Sequence, residues 1–249
     1  MPRRLGQHFL TSRSILNRIA EAACPTEGAR VVEIGPGRGA LTEFLLPRAV
    51  ELHAIEVDTM LIPYLEQRFR AFPQLHLHHA DVLKTDLAQW GPVTIAGNLP
   101  YYITSPITQK VLALGPLLTN AVFLVQREVA ERMAAHPGTR DYGYLSVLVQ
   151  FYSAPKVLFH VPPGAFSPPP KVESSVIQLT PRAQPAVIDP AGFLSFVSLA
   201  FHQKRKTLRN NLAGHYPKDR VDALPEAPLR AEQLPLEQFV EVYQRILEF

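Results

Sequence analysis

Val31-Val32-Glu33-Ile34-Gly35-Pro36-Gly37-Arg38-Gly39-Ala40-Leu41-Thr42 decides the architecture. A short, mostly apolar run stops at a glycine-rich bend, and a helical pattern over Leu41–Leu46 opens on its far side. A strand that passes through glycines into a helix is the first half of a βαβ unit. The glycines let a ligand lie close to the backbone, and a helix start favours negative charge.

The same alternation continues on both sides. Strands are predicted at Val31–Ile34, Leu52–Val57, Leu75–His79, Val93–Ala96 and Ala121–Val125, and helices over residues 12–23, Leu41–Leu46, Met60–Phe69, Ile107–Leu114 and Glu128–Ala134. Tyr144–Tyr152 reads as a further helix, and Val157–Val161 with Ser174–Leu179 as a closing pair of strands. This order predicts an α/β fold, a parallel sheet with helices on both faces. After Pro181 the pattern becomes helical only, following a Pro-rich linker that runs to Pro190. The expected domains are therefore 1–181 and a small all-α domain, 182–249.

A chain of 249 residues, 47% hydrophobic, can bury a full core. Its net charge of +3 and pI near 9.0 fit an anionic partner. The distribution is sharper than the total. Arg3, Arg4, Arg13 and Arg18 occupy an acid-free N-terminal stretch, and Lys204, Arg205, Lys206 and Arg209 occupy another. Lys156 and Lys171 are the charges between Asp141 and Glu173. Three such stretches suit a phosphate backbone, or are three solvated faces. The single Cys24 excludes a disulfide framework and a cysteine zinc site. No run reaches membrane-spanning length, so a soluble, cytoplasmic protein is expected.

Glu33, Glu56, Asp81 and Asn98 fall at the ends of consecutive strands, the rim where open α/β sheets bind ligands. A Gly loop with an acid at the end of the next strand serves NAD as well as S-adenosylmethionine. Three features favour S-adenosylmethionine: G-x-G-x-G spacing, the acid Glu33 just before the loop, and Asp81 placed to accept from an adenine amine. His76, His78 and His79 lack metal-ligand spacing and read as a polar strand face.

Asn98-Leu99-Pro100-Tyr101 ends the fourth strand. The Asn98 side-chain oxygen and the Leu99 carbonyl offer two acceptors, and Tyr101 offers a stacking face, which suits a planar amine held as a nucleophile. The same residues also make an Asn-x-Pro turn with Tyr101 packed on the core. The motif alone leaves both readings open.

The combination of Gly6-Gln7-His8-Phe9-Leu10, Val32-Glu33-Ile34-Gly35-Pro36-Gly37, Gly97-Asn98-Leu99-Pro100-Tyr101-Tyr102 and Phe166-Ser167-Pro168-Pro169-Pro170-Lys171-Val172 resembles the ribosomal RNA adenine dimethyltransferases. The block from Ala200 to Leu212 is similar to the small-subunit branch more than to the Erm resistance enzymes. The resemblance implies a Rossmann-like class I methyltransferase sheet and N6,N6-dimethylation of two adjacent adenosines in a hairpin loop of 16S rRNA, in the small subunit or its precursor. It further implies cofactor contacts from His8, Leu10, Gly35, Glu56, Asp81 and Asn98, catalysis at Asn98, Leu99, Pro100 and Tyr101, and a second stacking ring at Phe166. Many relatives carry Asn in place of His8. Phe166 also reads as a core plug beneath its loop. RNA contacts are expected from Arg3, Arg4, Lys171, Lys204, Arg205, Lys206 and Arg209, in a monomer. An Erm-type enzyme for 23S rRNA, a DNA adenine methyltransferase, and a ribosome-assembly factor with secondary catalysis are the competing readings.

Overall fold

The structure, a computed structural model, describes residues 8–183, 187 and 189–248. Arg3, Arg4 and part of the expected linker lie outside the described residues. The chain runs β1 (Phe9–Leu10), α1 (Arg13–Ala23), β2 (Ala29–Ile34), α2 (Thr42–Leu45), β3 (Ala49–Glu56), α3 (Ile62–Arg68), β4 (Leu75–His79) and β5 (Val93–Asn98). It continues through α4 (Thr104–Leu112), β6 (Leu118–Gln126), α5 (Arg127–Met133), α6 (Tyr144–Tyr152), β7 (Ser153–Val161), β8 (Phe166–Ser167) and β9 (Ser174–Pro181). The helices α7 (Pro190–Ala200), α8 (Leu208–Leu212), α9 (Lys218–Ala223) and α10 (Leu236–Glu248) complete it. Among the described residues no helix is long and apolar enough to cross a membrane.

Seven strands form one sheet in the order β4-β3-β2-β5-β6-β9-β7. The pairs β3–β4, β2–β3, β2–β5 and β5–β6 are parallel, and β9 returns antiparallel along β6. Successive residues such as Val31, Val32, Leu124 and Val125 are all buried, so both faces of the central strands are covered. That is the burial a parallel sheet requires. The strand order reverses between β2 and β5, which opens a crevice at their C-terminal ends. A separate two-residue ladder, which the apolar runs did not reveal, pairs Phe9 with Ser167 and Leu10 with Phe166.

The chain divides into two compact units. The first runs to Ala130 and resumes over Ala154–Pro181; the second holds Glu131–Ser153 and the chain from Arg182 onward. The second is larger than the 182–249 expected from sequence. The reason lies in α6: Val147, Leu148 and Phe151 are buried with Phe193, Phe196 and Phe239 in one cluster, and the Phe151 and Phe193 rings are 5.0 Å apart. A helix that apolar cannot remain exposed, so it joins the core that its side chains complete.

Candidate active site

The glycine loop bends as its composition requires. Gly35, Gly37 and Gly39 have φ of 68°, 58° and 77°, in the left-handed region where side chains are costly. A Cβ on Gly37 would stand 3.1 Å from the Phe9 ring, so β1 lies directly over the loop. The Arg38 guanidinium lies 5.0 Å from the centre of that same ring. Across the crevice, Gly97 pairs with Ile34, and a Cβ there would stand 2.6 Å from the Ile34 carbonyl oxygen. Glycine is needed for β5 to lie this close.

A cavity of about 580 Å³ occupies the crevice. Its wall includes His8, Leu10, Gly35, Glu56, Asp81 and the whole run Asn98–Tyr102, so the structure gathers the sequence-predicted cofactor residues and the Asn98 motif around one space. Glu56 is buried and well supplied with donors. Its Oε1 accepts the Val57 and Asp58 N–H groups, each at 2.9 Å, and its Oε2 accepts the Gly37 N–H at 3.0 Å. Oε2 keeps one acceptor position for a ligand. Asp81 turns Oδ1 to the Leu83 N–H at 2.9 Å, and its Oδ2 has no partner among the described residues. Glu33 also lines the cavity, 1% exposed, with Thr42 Oγ1 donating to its Oε2 at 2.6 Å. Burial, reinforced by the Glu56 carboxylate, pushes the Glu33 carboxyl up to about 7.

The Asn98 motif is fixed at both ends. Leu99 N–H donates to the Leu124 carbonyl at 3.0 Å, and the Pro100 carbonyl accepts from Ile103 N–H and Thr104 Oγ1. The proline leads into a 3-10 turn, Tyr101–Ile103. Asn98 Nδ2 donates to the His8 carbonyl at 3.3 Å, and Oδ1 has no partner among the described residues. The Tyr101 hydroxyl is 2.9 Å from Ser174 Oγ. His8 Nδ1 donates to the Pro168 carbonyl at 2.8 Å, and the His8 and Tyr101 rings are near-parallel, 6.4 Å apart.

Phe166 is 4% exposed, belongs to the apolar cluster that contains Leu10, Leu16 and Ile19, and does not line the cavity. The Leu10–Phe166 register buries it beside Leu10 in that cluster, as the core-plug reading of its loop expects. Lys171 is exposed in the first unit. In the second, Lys204 donates to the Arg140 carbonyl and lies 3.8 Å from Glu232, and Arg209 pairs with Asp222 at 3.0 Å. Arg205 and Lys206 are exposed without a side-chain partner among the described residues.

Two features escaped sequence reasoning. His76 and His78 belong to an aromatic cluster with His53 and Trp90, whose rings stack 4.6 Å from His53. Burial pulls His53 down to about 4 and lowers His78 as well. Among the described residues no group of three or more His, Cys, Asp or Glu is arranged to hold a metal ion. The second feature is Tyr102, which is exposed on the cavity wall. The doubled aromatic Tyr101-Tyr102 was the available signal. Cys24 is fully buried and its thiol is pushed up to about 11, which leaves no accessible thiolate.

Residues 2–248 match the family described as Ribosomal RNA adenine dimethylase. The chain is 42% identical over 253 residues to Ribosomal RNA small subunit methyltransferase A of Pseudomonas aeruginosa, covering 99% of this chain and 94% of that one. Among solved structures, a dimethyladenosine transferase from Plasmodium falciparum superposes with a TM-score of 0.85 at 26% identity, covering 97% and 98% of the two chains. The 23S rRNA methyltransferase ErmE gives 0.74 at 29% identity, covering 96% and 99%.

Proposed function

Because this chain belongs to the ribosomal RNA adenine dimethylase family, we propose that it transfers methyl groups from S-adenosylmethionine to the N6 amines of two adjacent adenosines in small-subunit, 16S rRNA. Full-length identity of 42% to a small-subunit methyltransferase, and the higher TM-score to the dimethyladenosine transferase than to ErmE, support this over the Erm-type reading. It acts as a monomer, on the subunit or its precursor in the cytoplasm.

The residues present fit that cofactor. Glu56 keeps an acceptor on Oε2 for a ribose hydroxyl, and Asp81 keeps Oδ2 for an adenine amine. His8, Leu10 and Gly35 complete the wall, and exposed Val57 and Leu83 flank the two acids with apolar surface. When bound, S-adenosylmethionine supplies an activated methyl group on a positively charged sulfur.

The observation that carries the reading is the Asn98 hydrogen bond to the His8 carbonyl. With Nδ2 committed there, the amide presents its oxygen and not its nitrogen to the cavity. Asn98 Oδ1 and the Leu99 carbonyl then accept the two hydrogens of an adenine N6 amine, whose lone pair is otherwise spread into the ring. Holding both hydrogens favours a pyramidal nitrogen aimed into the cavity, so alignment carries the rate instead of a strong base. An adenine inside a helix cannot reach this pocket, so the base must leave its stack, and Tyr101 offers it a replacement surface. Asn98→Ala is expected to slow methyl transfer to immature small subunits by at least ~100-fold and shift cofactor affinity only a few-fold. Near-normal turnover of that variant, followed by nucleoside mass spectrometry, would remove Asn98 from this role.

A further inference from the structure

We propose that Tyr102 is the stacking platform for the neighbouring adenosine, the one that waits at the mouth while its partner is methylated. The inference rests on the two-adenosine reading above. Three exposed large apolar residues line the cavity: Val57, Leu83 and Tyr102. Val57 and Leu83 follow Glu56 and Asp81, and that pairing accounts for them at the cofactor end. Tyr102 has no such account. It stands at the opposite, Asn98–Tyr101 end, 67% exposed, and neither its ring nor its hydroxyl has a partner among the described residues.

Its backbone, by contrast, is rigid. The 3-10 turn is closed by the Ile103 N–H on the Pro100 carbonyl at 3.2 Å and by Thr104 Oγ1 on the same oxygen at 3.1 Å, with Thr104 itself buried. A flat ring is thus presented to solvent on a fixed turn, one residue beyond the ring assigned to the target base. Extruding one of two adjacent adenosines leaves the other without its stacking neighbour on that side. A ring at the mouth replaces the lost contact, and aromatic–base stacking tolerates any base while favouring purines by their area. Once the first adenosine is finished, the waiting one is already unstacked beside the pocket.

The test uses an RNA hairpin in which one of the two adenosines is 2-aminopurine. That base lacks the 6-amine, so the Asn98 acceptors select the remaining adenosine and the fluorescent base reports on the mouth. With the full chain and S-adenosylhomocysteine, wild type and Tyr102→Phe are expected to quench the fluorescence, and Tyr102→Ala is not. In methyl transfer to immature small subunits, Tyr102→Ala should lose on the order of tenfold to a hundredfold in kcat/KM while Tyr102→Phe stays near wild type. Affinity for S-adenosylhomocysteine should be unchanged in both. Equal quenching by Tyr102→Ala, or a loss confined to S-adenosylhomocysteine affinity, overturns the proposal. A wild-type protein that methylates immature small subunits at a single adenosine, read by mass spectrometry of the RNA fragments, would instead refute the two-adenosine reading itself.

Discussion

At Glu33 a carboxyl is almost wholly removed from water beside the Glu56 carboxylate, with Thr42 as its hydrogen-bond donor. Its ordinary value near 4.5 rises to about 7 in the fold, so the folded protein holds a proton there that the unfolded chain has released. Between those two values the native state binds more protons, and stability therefore falls as pH rises across that window. Glu33→Gln, which imitates the protonated form, should gain melting temperature relative to wild type as pH is raised from about 4.5 to 7, with no further gain above. A positively charged cofactor reverses the preference. Its affinity should climb with pH up to about 7 in wild type and stay flat in Glu33→Gln, with proton release seen by calorimetry in two buffers. Glu56, Asp81 and Asn98 were legible because strand ends announce themselves in the local pattern. The exposure of Tyr102, the burial of Phe166 and the Trp90 stack on His53 were not, since each depends on segments far away in sequence.

Among the elements, β5 and its turn impose the tightest demand. A methyl group on Gly97 meets a backbone oxygen of β2 at 2.6 Å, which no side-chain rotation can relieve. Gly97→Ala should cost about 1–3 kcal/mol and lower cofactor affinity along with it, because the strands that must separate are the two that frame the crevice. Thermal melting with and without S-adenosylmethionine measures both effects. The sheet strands were readable from their apolar runs, and the glycine loop from its spacing. The β1–β8 ladder was not, because two residues carry no periodicity and their partners lie more than a hundred positions away. Helix α6 was read as a helix, but nothing local assigns it to the C-terminal core that Phe151 helps to fill.

For the whole molecule, each unit owns a hydrophobic cluster: one around Leu45, Leu52 and Leu65, the other around Phe193, Phe196 and Phe239. The basic residues divide between them. Lys204 and Arg209 are partly committed to the second unit's own structure, whereas Arg205 and Lys206 are uncommitted among the described residues. Arg205→Glu with Lys206→Glu should weaken binding to immature small subunits and reduce the slope of log affinity against log salt by about 1–2, read from filter binding over a salt series. An unchanged slope would make that pair a solvated face. The ladder of Phe9 and Leu10 with Ser167 and Phe166 has a different reach. Leu10 and Phe166 are both buried in the first unit's cluster, so the ladder holds the His8 carbonyl against Asn98 and the Phe9 ring over Gly37 from the core itself. Site geometry is thus tied to core packing, and a cavity cut at this ladder would loosen the site and lower the stability of the first unit together.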